Sequence, residues 1–290
     1  TWWLLPRAWR FLPRDQGKPF VRNSAEAKGK PTGAGVVLVL ALLPVLLLVL
    51  PGSLQFWLLI LCLFLAMLTG FLDDCREVPW GPEFKGSLDL GVALLTSLVL
   101  CRGEGVAVWW PLFKGAAADG SFLLPPWLYV PMATVVLWWM INATNCTDGV
   151  DGLAGSLSLL SLFYLGGFLY GIVGHAGVAK YLLLPHNPDG ARWGVLVFTA
   201  TGALAGYIWH NAKPSAVLMG DAGSRFLGLL LGIAVLAAGN TFLVLVVAPV
   251  VLVNGGSGLL KIPLPRWFQR LGCDGRPPSR NFSRGEPTLG

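Results

Sequence analysis

Apolar residues in this chain come in long blocks, and the polar residues between them come in short ones. Apolar stretches occupy residues 36–50, 54–72, 88–101, 122–141, 153–174, 193–209, 226–239 and 241–260. About 20 helical residues cross the hydrocarbon core of a bilayer. Most of the stretches approach that length and three fall short of it, a pattern that predicts an all-α, polytopic integral membrane protein with eight spans. Two apolar regions of about 37 residues would overshoot the bilayer as single helices. Pro51-Gly52-Ser53 and Ala238-Gly239-Asn240 break them into helical hairpins.

The parity of the spans sorts the polar segments onto two faces. The basic segment 7–30, the loops 73–87, 142–152 and 210–225, and the region after residue 260 share one side, and the loops 102–121 and 175–192 share the other. The first set carries 17 of the 21 Lys and Arg, so the positive-inside rule makes it cytoplasmic.

Composition agrees with a membrane protein. Hydrophobic residues make up 54%, charged residues only 12%, and the mean hydropathy is +0.65, whereas soluble domains are about 25% charged. The net charge of +6 is concentrated at the two ends of the chain, which argues for membrane orientation and against a nucleic-acid partner. Five Cys, at 62, 75, 101, 146 and 273, have neither CxxC spacing nor a disulfide pattern. The chain opens at Thr1-Trp-Trp-Leu-Leu-Pro6, which reads as the end of an apolar run begun upstream. Residues 1–262 read as the transmembrane domain and 263–290 as a basic tail rich in Pro, Arg and Gly.

Every acidic constellation falls on the predicted cytoplasmic face. Asp73 and Asp74 end one span, Asp148 and Asp151 lie in a glycine-punctuated loop, and Asp221 stands between glycines before the next helix, whose N-terminal amides favour anions. Five carboxylates on one face repel one another unless a cation intervenes, and Mg²⁺ fits because it takes oxygen ligands shared with substrate phosphates. Lys85 reads either as an interface anchor or as a point charge for a phosphate. His175, His186 and His210 are unpaired and read as structural. Trp109-Trp110 and Trp138-Trp139 read as interface belts.

Four motifs occur in order: Gly29-Lys-Pro-Thr-Gly-Ala-Gly35, Gly70-Phe-Leu-Asp-Asp74, Asn142-Ala-Thr-Asn-Cys-Thr-Asp-Gly-Val-Asp-Gly-Leu-Ala154 and Met219-Gly-Asp-Ala-Gly-Ser224. Together they resemble the polyprenyl-phosphate N-acetylhexosamine-1-phosphate transferase family, and within it the branch that acts on phospho-N-acetylmuramoyl-pentapeptide. The resemblance implies transfer of that group from its UDP carrier to undecaprenyl phosphate, releasing UMP, at the cytoplasmic face of a bacterial inner membrane. It implies Mg²⁺ held by Asp221 with Asn145 beside it. Asp73 would sit by the lipid phosphate, taking a proton or positioning the nucleophile, and Asp74 would complete the catalytic acids. Asn142, Asn145, Asp148 and Asp151 would shape the nucleotide and metal site, Lys85 would bind phosphate, and Asn211 would lie near the nucleotide. A homodimer is a further expectation.

The chain departs from the family pattern at several places. Leu218 stands where an aromatic residue precedes Met-Gly-Asp, Arg76-Glu77 stands where many members have a second lysine, and no histidine follows His210. The family's last span also has no counterpart. These departures keep two alternatives open, transfer from UDP-GlcNAc instead and a non-catalytic or truncated relative; acids near a bilayer keep open a third, a membrane transporter in which they mark an ion path.

Overall fold

The computed structural model describes residues 1–15, 28–49, 52–101, 103, 105–110 and 120–261. The predicted basic tail and residues 16–27 of the predicted basic segment lie outside the described residues. Helix α1 (Leu5–Ala8) is followed by α2 (Gly35–Val49), α3 (Leu54–Asp74) and α4 (Pro82–Cys101). A two-stranded hairpin, β1 (Val106–Val108) and β2 (Phe122–Leu124), leads to α5 (Pro126–Thr147). Then come α6 (Leu153–Gly167), which continues as a π-helical turn through Val173, α7 (Ala176–Tyr181), α8 (Gly190–Asn211), α9 (Gly220–Ala237), α10 (Leu243–Val247) and α11 (Pro249–Lys261).

Local chemistry sets the helix starts. The Ser53 hydroxyl accepts from the Phe56 N–H at 3.4 Å and caps α3, so the turn signal at Gly52-Ser53 is a genuine helix start. Helix α4 opens on Pro82 with Glu83 in its first turn, both favourable at an N-terminus. It therefore begins six residues before the predicted span at 88, and Lys85 lies on a helix rather than in a loop. Helix α5 likewise begins at Pro126 and runs on to Thr147, so Asn142 and Asn145 are helical.

Among the described residues, five helical segments are long and apolar enough to cross a bilayer: Leu54–Asp74, Pro82–Cys101, Pro126–Thr147, Leu153–Val173 and Gly220–Ala237. The pattern predicted eight spans. Gly35–Leu48 is apolar but shorter, and the predicted span 241–260 is divided at Ala248 and Pro249 into α10 and α11. The predicted span 193–209 is α8, of 22 residues, whose apolar run is diluted by Gly, Thr and a polar C-terminal end.

Helix α9 is the centre of the bundle, with 89% of its span buried against α2, α3, α5, α6 and α8. Lipid is as apolar as leucine, so membrane helices associate through close packing rather than water exclusion. The crossing of α2 and α9 shows this: a Cβ on Gly35 would lie 2.2 Å from Gly223 Cα, a distance only a glycine pair tolerates.

The two ends of the bundle differ in character. At one end the hairpin packs on the C-terminus of α9, where the Trp109 N–H and indole N–H donate to the carbonyls of Gly239 (2.9 Å) and Ala238 (3.0 Å). Asn187 donates to Ala237 O at 2.8 Å, satisfying another terminal carbonyl of that helix. At the opposite end the segments around residues 30, 74, 85, 151, 211 and 220 converge, the grouping that span parity predicts.

Candidate active site

The C-terminal turn of α3 delivers two adjacent carboxylates to different tasks. Asp73 is 4% exposed; its Oδ1 accepts the Trp80 N–H at 2.7 Å, and its Oδ2 is ion-paired with Lys85 Nζ. Lys85, in the first turn of α4, also donates to Asp221 Oδ2 at 2.8 Å. Asp221 is 6% exposed in the first turn of α9. One ammonium thus bridges two buried carboxylates from different helices.

Asp74 turns the other way. Its two oxygens accept the N–H groups of Asp221 and Ala222, both at 3.0 Å. These first-turn amides have no partner within their own helix, and a carboxylate there also meets the positive end of the helix dipole. Asp74, grouped by resemblance with the catalytic acids, is placed here as the cap that orients Asp221. Gly220 makes the approach feasible: its φ is +72°, and a Cβ would fall 2.4 Å from Asp74 Oδ2 and 2.6 Å from Gly33 N.

The first motif reaches the site through backbone. Leu218 N–H donates to Pro31 O at 2.8 Å and Ala34 N–H to Leu218 O at 3.2 Å, laying residues 31–34 beside the segment before α9. Lys30 donates to Ser215 Oγ at 2.9 Å and lies 3.7 Å from Asp151. Asp148 and Asp151 occupy the half-buried turn between α5 and α6; the Asp148 N–H donates to Asn145 O at 3.2 Å. Asn142 donates one turn back to Trp138 O at 2.9 Å.

Asn211 ties two of these loops together. It is buried, its Oδ1 accepts the Gly152 N–H at 2.9 Å, and its Nδ2 donates to Val217 O at 2.8 Å. Asn211→Ala leaves both backbone groups unpaired and is expected to cost about 2 kcal/mol. The check is a lowered midpoint of thermal unfolding in detergent.

Two residues of the cluster carry no sequence motif. Arg225, one turn below Asp221 on α9, is 1% exposed; its Nη1 lies 3.0 Å from Asp89 Oδ1 and its Nη2 3.9 Å from Asp221 Oδ2. Asp89 is 4% exposed and lies one turn below Lys85 on α4. Asp89 sits inside an apolar run and Arg225 at the edge of one, where each reads as an isolated charge. The available signal was their matched spacing, Lys85 to Asp89 and Asp221 to Arg225, each four residues apart.

The cluster of Asp73, Asp74, Asp89 and Asp221 faces Lys85 and Arg225, leaving formal negative charge that the α9 amides offset only in part. Among the described residues no three His, Cys, Asp or Glu side chains are grouped to hold a metal. The donor chemistry nonetheless fits Mg²⁺, which commonly takes one or two carboxylates and completes its shell with water and substrate phosphate. Asp221 and Asp73, whose oxygens already converge on one cation, are the residues that fit. The three histidines contact backbone groups: His175 accepts the Val178 N–H at 3.4 Å, His186 lies 3.0 Å from Val173 O, and His210 lies 2.9 Å from Trp2 O.

Known proteins are similar to this chain in sequence. Residues 56–239 match the profile described as Glycosyl transferase family 4. A phospho-N-acetylmuramoyl-pentapeptide-transferase of Treponema pallidum (strain Nichols) is 47% identical over 271 residues, covering 92% of this chain and 73% of that protein. One of Chlorobium limicola (strain DSM 245 / NBRC 103803 / 6330) is 29% identical over 244 residues, covering 81% of this chain and 65% of its own length. One of Helicobacter hepaticus (strain ATCC 51449 / 3B1) is 38% identical over 121 residues, 42% of this chain and 33% of its own. The matched region contains Asp73, Asp74, Lys85, Asp89, Asp221 and Arg225, and the chain belongs to glycosyl transferase family 4 as a multi-pass membrane phospho-sugar transferase.

Proposed function

We propose that the chain transfers phospho-N-acetylmuramoyl-pentapeptide from its UDP carrier to undecaprenyl phosphate, yielding the lipid-linked diphosphate sugar and UMP. The observation that carries this reading is the buried Asp73–Lys85–Asp221 bridge at the end of the membrane helices. An oxygen of the lipid phosphate attacks the phosphorus bonded to the sugar, a new P–O bond forms, and the bond to the UMP oxygen breaks. Little covalent work falls to the protein in such a reaction, so positioning and charge neutralisation dominate. Lys85 supplies a point charge that exchanges a carboxylate for a substrate phosphate oxygen. Asp73, at the mouth of α3, positions the lipid phosphate as the nucleophile. Asp221 and Asp73 would hold Mg²⁺, which supplies charge neutralisation at the transferring phosphoryl group when bound. The excess of Lys and Arg on the segments sharing this end supports a cytoplasmic site.

Transfer from UDP-GlcNAc is the second reading, raised by the absence of histidine between His210 and Gly290. The test incubates the purified chain with undecaprenyl phosphate, Mg²⁺ and each nucleotide sugar in turn. UMP release and lipid product with UDP-MurNAc-pentapeptide alone are expected. Product with UDP-GlcNAc alone would reassign the donor, and no product with either, from a folded sample, would reject both.

A further inference from the structure

Lys85 and Asp89 on α4 face Asp221 and Arg225 on α9 as two rungs of opposite polarity. The outer rung is Lys85 with Asp221 at 2.8 Å, and the inner is Asp89 with Arg225 at 3.0 Å. Arg225 is by volume the largest fully buried side chain among the described residues; neither its Nε nor its Nη1 has a hydrogen-bond partner, so its contact with Asp89 is an ion pair rather than a hydrogen bond. A buried ion pair is weak evidence for stability, since apolar groups of like volume often do as well. The residues after it, Phe226, Leu227 and Leu229, are buried and apolar, so packing alone does not call for a guanidinium. What Arg225 offers is a second cation beside Asp221, on the side away from the mouth of the site.

Resting on the phosphoryl-transfer reading above, we infer that Arg225, anchored by Asp89, is a positioning residue that holds Asp221 in place when Lys85 turns to the substrate phosphates. Lys85 is the mobile partner: its side chain is 21% exposed and it already divides its charge between Asp73 and Asp221. A diphosphate entering the site competes for that ammonium. Once Lys85 turns to the phosphate, Arg225, whose Nη2 is 3.9 Å away, stays beside Asp221 as a cation of the protein itself. The Asp89 charge lies on the Nη1 side of the guanidinium, so the ion pair leaves Nη2 on the side of Asp221.

The test uses the full chain in detergent. Asp89→Leu and Arg225→Leu each strand a buried charge, and each is expected to lower the unfolding midpoint. The double variant Asp89→Leu/Arg225→Leu removes both charges and is expected to unfold near the parental midpoint. If it does not, Asp89→Asn/Arg225→Gln, a neutral hydrogen-bonding pair, carries the same expectations. In the folded double variant kcat falls about tenfold or more while KM for the nucleotide sugar changes less than about threefold, the signature of a group acting on the transition state. Mn²⁺ binding followed by electron paramagnetic resonance without substrates weakens at least about threefold, since the carboxylate ligand is less well placed. A folded double variant with parental kcat and parental Mn²⁺ binding overturns the inference. If the parent itself forms no lipid product, the proposed function fails instead, and the Mn²⁺ comparison alone decides the positioning role.

Discussion

Asp221→Asn is expected to lower turnover by on the order of 10²-fold or more, at unchanged expression and with the bundle still folded. The substitution keeps the side chain's shape but removes the charge on an oxygen that faces Lys85 at 2.8 Å and Arg225 at 3.9 Å. Lys85 remains paired with Asp73, and Asp74 still caps α9 through backbone amides, so the placement of the helices survives. What is lost is a negative ligand where phosphoryl charge must be neutralised. Asp189→Asn is the matched control. Asp189 lies at the other end of the bundle, paired with Arg192 at 2.8 Å in a solvent-accessible i,i+3 contact of the kind worth little. Turnover measured at several Mg²⁺ concentrations separates the two, and equal activities would remove Asp221 from the site.

Lys85→Gln is expected to reduce turnover by about 10²-fold and also to raise KM for the nucleotide sugar, because it deletes both the phosphate contact and the ammonium between two acids. With that ammonium gone, two carboxylates on the order of 5 Å apart face each other, a repulsion of about 3 kcal/mol at a surface-like effective dielectric. Raised Mg²⁺ should recover part of the loss, since a divalent ion can screen the same pair. Lys85→Arg restores the charge but brings a planar fork where a compact point charge fits, so it should recover stability more fully than turnover. The measurement is a steady-state series with all three chains at fixed lipid phosphate. Parental kcat and KM in Lys85→Gln would show that the bridge is only a structural contact.

The gathering of the acidic segments at one end was legible from the alternation of apolar and polar blocks. Span parity placed residues 73, 85, 151, 211 and 221 together, and the contacts of Lys85 with Asp221, Lys30 with Asp151 and Asn211 with Gly152 realise that grouping. Helix limits were less legible. Hydropathy discards the first turns of α4, where Glu83 and Lys85 precede the apolar run, although Pro82 marks the start. The end of α5 was hidden in the same way, since Ala143, Thr144 and Thr147 are buried there without being strongly apolar as a set. The three-residue strands β1 and β2 are too short for alternation to separate them from the flanking apolar residues. The division of labour between Asp73 and Asp74 was not legible at all. Adjacent residues on a helix point in different directions, and only the position of α9 decides that Asp73 meets Lys85 while Asp74 meets backbone amides. Asp89 and Arg225 were missed because a charge inside an apolar run, or at its edge, says nothing of its partner until two helices are laid side by side.

The central claim is that a phosphoryl group, and not a bare sugar, moves to the lipid at the Asp73–Lys85–Asp221 cluster. The most direct measurement supplies UDP-MurNAc-pentapeptide radiolabelled in its β-phosphate, with undecaprenyl phosphate and Mg²⁺, and separates the lipid from the aqueous products. The label is expected to enter the lipid in step with release of unlabelled UMP, and Asp221→Asn is expected to suppress both together. Label retained in water as UDP while sugar enters the lipid would contradict that claim.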